Sequence, residues 1–249
     1  DRVLSAPWYD ARNSTLSSRQ LRALVTADDP HEITQPMLEP PINVFEDLWQ
    51  LNHLTVSYMV RAISGALLLA YGMLENDPIT IVVAALFLPF LSQALAVGFG
   101  AWSREVNLAL HGLKCLAFST IACVVSGVIV QLIHGGVMKY HTFAPPLTSF
   151  LISAAIGITA GIITEDDAGR GYLIGVAAAV QYGVFAVWFG FCLVQGFPDS
   201  HTVVVRLATF AINVVSIALF GLIGYRMLNI KRRDLQGFVR ITGQHAAHE

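Results

Sequence analysis

The chain has 249 residues, of which 55% are hydrophobic and 13% charged, with a mean hydropathy of +0.60. A soluble domain carries about 25% charged residues, so this composition argues against an ordinary soluble domain and against a disordered tail. Fifteen Lys and Arg against seventeen Asp and Glu leave a formal net charge of −2, with no basic excess to neutralise phosphates, so nucleic acid is not an expected partner.

Residues 1–52 form a polar preface, expected on the cytoplasmic side. Ser17 or Ser18 is placed to cap a short helix running to about Val25. Pro30, Pro36, Pro40 and Pro41 exclude a regular helix between Asp28 and Pro41. From Val44 to Leu51, Phe45, Leu48 and Trp49 share one helical face. That pattern predicts an amphipathic helix on the cytoplasmic interface, with Trp49 at headgroup level. Packing on another cytoplasmic domain is the alternative. The first fifty residues contain no signal-peptide pattern, and the chain begins at Asp1 rather than Met, which leaves room for residues upstream.

Beyond this preface the charges thin out. The intervals 78–103, 115–138, 140–164, 171–198 and 207–225 contain no Asp, Glu, Lys or Arg. Four of these exceed the roughly 20 residues that a helix needs to cross the hydrocarbon core, and the fifth nearly meets it. A further apolar segment, about His53 to Leu74, carries one charge, Arg61. The expected fold is an all-α integral membrane protein. Its six transmembrane helices fall at about 53–74, 78–101, 107–134, 146–163, 170–196 and 201–228, giving a membrane domain over 53–228. Residues 229–249 form a basic cytoplasmic tail that opens with Lys231-Arg232-Arg233, a stop-transfer pattern beside anionic lipid.

Basic residues set the orientation. Arg19, Arg22, Arg104, Arg170 and the Lys231–Arg233 cluster fall on one side, and Lys139 alone on the other. Both termini are therefore expected in the cytoplasm. Cys115, Cys123 and Cys192 lie within spans and read as core residues. Glu165-Asp166-Asp167 reads as a solvated turn and His134, His141 and His201 as surface residues. No metal or cofactor is expected.

A repeat is also legible. Val83-Ala84-Ala85 in the second span aligns with Val176-Ala177-Ala178 in the fifth at an offset of 93, which carries the third span onto the sixth and Thr120 onto Asn213. Three spans per half is an odd number, so the halves are inverted, a common plan for transporters with a site near the bilayer midplane.

The stretch Val82–Ala94, the run Gly175-Val176-Ala177-Ala178-Ala179 and the region of Asn213 resemble the bacterial integral membrane family called domain of unknown function 389. The resemblance covers most of residues 55–228 and implies a bacterial cytoplasmic membrane; an organelle inner membrane is the alternative. Pro89, Gly175, Val176, Ala177 and Asn213 keep the family's pattern. Ser92 and Gln93 stand where Gly and Pro are typical, and Gln181 and Tyr182 where Pro-Pro is typical. These departures imply an altered or lost site.

Polar residues inside the spans mark the candidate site. Pro89 removes a backbone donor in mid-span and predicts a kink, with Ser92 and Gln93 one turn away. Gln181 and Tyr182 predict a matching break in the fifth span. Together with Arg61, the deepest charge, and Asn213, these residues are expected to line a central cavity for a small polar or anionic solute. Lys114 and Arg206 are expected to snorkel to the interfaces. Gly157–Gly161 and Gly171–Gly175 are GxxxG pairs that would join the fourth and fifth spans, or two protomers. A transporter or channel-like protein is the first reading. The second is a non-transporting accessory or scaffold subunit, which a dry, filled centre would favour. Partners are membrane lipid, the solute, and further copies or subunits. With no nucleophile–base pair, no phosphate loop and no zinc motif, an enzyme is not expected.

Overall fold

The computed structural model describes residues 41–163 and 172–227. Among these residues every regular element is a helix: α1 (Pro41–Leu51), α2 (Val56–Glu75), α3 (Pro78–Phe87), α4 (Phe90–Ser103), α5 (Val106–His134), α6 (Pro146–Ile163), α7 (Tyr172–Gln195) and α8 (Ser200–Met227). The expected Ser17–Val25 helix, the Glu165–Asp167 turn and the Lys231–Arg233 cluster lie outside the described residues.

Local chemistry fixes the element ends. The Thr55 hydroxyl accepts the Tyr58 N–H at the start of α2. Asn76, at φ 56, ends α2 in the left-handed region that Asn tolerates. Asp77 then caps α3, with Pro78 in the first helical position. Its carboxylate accepts the Thr80 hydroxyl at 2.5 Å and the N–H groups of Ile79 and Thr80. The Thr80 hydroxyl foremost, and then those amides, hold the Asp77 carboxyl below its ordinary range. The expected break at Pro89 is present: α3 and α4 meet there at a bend of 45°.

By length and composition, α2, α5, α7 and α8 each suffice to cross a membrane, and the bent pair α3–α4 makes a fifth candidate. Helix α6 is apolar but shorter; its 18 residues rise about 27 Å. Large apolar side chains face outward, among them Ile79, Ile133 and Leu147. In water they would form an adhesive surface; against lipid they cost nothing.

Four helix pairs run parallel. Tyr58 meets Ser119, and Tyr71 meets His134, along α2 and α5. Thr120 meets Tyr182, and Gly127 meets Gly190, along α5 and α7. Leu95 meets Gly221, and Phe99 meets Tyr225, along α4 and α8. Gly157 lies on Ile217 and Gly221, and Gly161 on Gly221 and Gly224, along α6 and α8. Thus Gly157–Gly161 joins α6 to α8, not the fourth span to the fifth. A glycine stripe suits this pair because dispersion between close backbones replaces a hydrophobic driving force in lipid. Gly171 lies outside the described residues, and Gly175 faces open space.

Two segments cover the ends of the bundle. Helix α1 sets Val44 and Leu48 into a cluster with Leu95, Phe99, Leu108 and Tyr225, with Phe45 and Trp49 partly buried against it. At the opposite end, residues 135–145 form a strap. Lys139 and Tyr140 donate their N–H groups to the carbonyls of Leu74 and Met73 at 3.2 and 3.1 Å. The Lys139 ammonium meets Glu75 at 2.6 Å. Cys115, Cys123 and Cys192 are buried free thiols.

Candidate functional site

The polar residues of the interior form one connected layer. In the first set of helices (α2–α5, the second set being α6–α8), the Gln93 side chain is fully buried near the start of α4. Its amide donates to Ser119 Oγ on α5 at 2.8 Å and to the Tyr58 hydroxyl on α2. Tyr58 and Ser119 also bond each other at 3.0 Å. In the second set, fully buried Asn213 on α8 accepts the Ser153 hydroxyl of α6 at 3.0 Å and donates to the Gln181 carbonyl of α7 at 2.8 Å. Thr120, the neighbour of Ser119, bonds the Tyr182 hydroxyl, and Tyr182 is the neighbour of Gln181. The chain Tyr58–Gln93–Ser119/Thr120–Tyr182/Gln181–Asn213–Ser153 therefore touches all six apolar segments. Ser119, Tyr182 and Asn213 sit near the midpoints of their helices.

The apolar surroundings explain why these contacts close. In an apolar medium each amide or hydroxyl must find a partner. A stripe of Tyr58, Ala62, Gly65, Ala66 and Leu69 turns one face of α2 inward and carries Tyr58 with it. The centre is closed by rings: Tyr182 lies 4.1 Å from Phe90 and 4.6 Å from Phe210, centroid to centroid. Buried Gln93 Oε1 and Asn52 Oδ1 have no hydrogen-bond partner among the described residues. Asn52 braces the Pro89 break: its amide reaches the carbonyls of Leu48 and Ser92, at 2.7 and 3.2 Å. Ser92 itself returns its hydroxyl to the Pro89 carbonyl at 2.9 Å.

The structure brings Gln93, Tyr182 and Asn213 into this layer, with Pro89 and Ser92 beside it in the turn before Gln93. It corrects the expectation in three places. Arg61 is exposed on the outer face of α2, because the inward stripe passes through Tyr58 and Ala62 and leaves position 61 outside it. Gln181 contributes its carbonyl; its side chain is half-buried and makes no hydrogen bond among the described residues. Helix α7 is unbroken through Gln181 and Tyr182, because neither removes a backbone donor as Pro89 does.

The Arg206 guanidinium lies 3.5 Å from the centre of the Phe143 ring and 5.8 Å from that of Trp188, a cation–π cage under the strap. Lys114 is exposed, as are His134, His141 and His201. Among the described residues no cluster of three His, Cys, Asp or Glu can hold a metal.

Sequence reasoning missed Tyr58, Ser119 and Ser153. The signal present was weak: a Ser-Thr pair inside the charge-free run of α5, and one phenol at the start of α2.

Fold and site together define a class: a chain helical throughout its regular elements among the described residues, with a buried polar layer and four to five helices fit to cross a membrane. No family model, curated protein or solved structure matches the chain.

Proposed function

We propose that the chain is a six-span membrane carrier for a small polar or anionic solute, built as two inverted three-helix repeats. The observation that carries this reading is the broken helix. Pro89 interrupts α3–α4 next to fully buried Gln93, whose Oε1 lacks a partner. A break and an orphaned acceptor inside the membrane are costly, and transporters use such discontinuous helices to hold solute. The repeat is supported by matched pairing. The first and third helices of each set run parallel, joined by a buried bond across 61 positions in one set and 60 in the other. The third helix of each set lies along the second of the other, at Gly127–Gly190 and Gly98–Ala218. Ser119 and Asn213 fall within one position of the counterparts that the offset of 93 assigns. Bacterial inner-membrane residence, with both termini in the cytoplasm, completes the proposal.

A second reading, a non-transporting subunit of a larger membrane assembly, is favoured by one observation: the Phe90–Tyr182–Phe210 rings fill the centre. Proteoliposome flux separates the two. The full chain is reconstituted and tested with phosphate, sulfate, urea and glycerol against empty vesicles. Under the carrier reading at least one solute passes, and Gln93→Leu abolishes its flux with helical content unchanged. No flux for any probe, together with stable copurification of membrane partners, selects the subunit. Topology is tested by maleimide labelling in intact cells. Lys139→Cys labels from outside, and Arg104→Cys labels only after permeabilisation; the reverse or equal labelling rejects the orientation.

A further inference from the structure

We propose that the groove between α4 and the start of α5 binds one anionic phospholipid, with Arg104 on the lipid phosphate. The inference rests on the chain's residence in a membrane and not on transport.

The groove has a volume of about 470 Å³. Its floor is the close approach of Gly100 to Ala109, where any Cβ on Gly100 would strike the Ala109 backbone nitrogen at 2.5 Å. Val97 and Ala101 form one wall, and Val106, Leu110 and Leu113 the other. Val106 is 65% exposed and Leu113 52%, so the trough opens outward along its length. An apolar trough open to the bilayer accommodates an acyl chain; it offers a peptide no polar edge to hydrogen-bond.

Arg104 is the charged residue of the lining. It ends α4 at φ 65, a backbone region uncommon for a residue with a side chain, and this places an exposed guanidinium at the mouth of the trough. Glu105 follows it, yet among the described residues Arg104 makes no ion pair. Lys114 is exposed beyond Leu113, and Arg226 ends α8 at the same end of the bundle as Arg104. The opposite end carries Glu75, Asp77 and Asp199, with Lys139 paired to Glu75 and Arg206 caged by Phe143. Guanidinium groups bind phosphate in a two-pronged fashion. A free phosphate would gain Arg104 alone; a phospholipid gains Arg104 and the trough together.

The test uses the full chain in detergent and native mass spectrometry with phosphatidylglycerol and phosphatidylcholine as probes. The wild type is expected to retain one phosphatidylglycerol with a preference of about fivefold over phosphatidylcholine, the size of one basic contact near a membrane surface. Arg104→Gln brings the preference to near parity with helical content unchanged, and Arg104→Lys keeps most of it. Ala101→Trp, which fills the trough, lowers retention of both lipids. Added inorganic phosphate leaves the bound lipid in place. The proposal is overturned by a wild type without preference, by an Arg104→Gln variant that keeps it, or by release of the lipid on addition of phosphate.

Discussion

In α2–α5, the buried link between the first and third helices passes through a phenol and a serine, with a glutamine side chain supplied by a helix broken at Pro89. In α6–α8 it passes through one asparagine onto the carbonyl of an unbroken helix. The backbones differ in the same sense. Gly157 and Gly161 bring α6 against α8, whereas α2 and α5 are held apart by Tyr58 and Ser119. A polar contact in lipid thus has two solutions: close backbones with few polar side chains, or separated backbones with a side-chain network. The first leaves little freedom. The second leaves a joint that can be rearranged.

Four substitutions test that contrast, from the largest effect to the smallest. Gly161→Ala is expected to cost the most, about 1–3 kcal/mol, because the added methyl meets the Gly221 carbonyl and the Gly224 backbone. Gly221→Ala, on the face that α8 turns to α4, is expected to be mild, since its methyl meets the end of the flexible Leu95 side chain. Thermal unfolding in detergent compares the two, and equal losses would remove the idea that backbone closeness holds this pair. Asn213→Leu comes next. It strips the partner from the Ser153 hydroxyl, and leaving a buried group unpaired costs about 1–3 kcal/mol. Gln93→Leu is expected to cost less in stability, about 0.6 kcal/mol, because Tyr58 and Ser119 still bond each other. A larger loss for Gln93→Leu than for Asn213→Leu, read by the same melts, inverts the comparison.

The smallest effect concerns the cap of α3. Asp77 has a folded pKa below its ordinary value, so its contribution is present above the unfolded carboxylate pKa of about 3.9. That contribution is lost as pH falls through the folded value. Asp77→Asn should therefore melt slightly earlier than wild type at pH 6, and the gap should close in acid. A gap that widens in acid would remove the capping role.

Helix positions were legible because charge is so costly in lipid that its absence marks where each helix runs. The Pro89 break was legible for a similar reason, a missing donor that nothing can replace. Hydroxyl partners were not. Thr159 and Thr209 each return their hydroxyl to a carbonyl of the preceding turn, so a serine or threonine in a span need not signal a partner on another helix. The direction of Arg61 was hidden by its neighbours: the inward stripe of α2 runs through small residues that could equally face lipid. The aromatic cage around Arg206 was not legible, because Phe143 and Trp188 are distant from it in sequence.

Ser119 and Thr120 are consecutive, so they leave α5 about 100° apart; one grips the first set of helices and the other grips Tyr182. Helix α5 is therefore an axle with two spokes, one tied through Gln93 to the helix that breaks at Pro89 and the other to Tyr182.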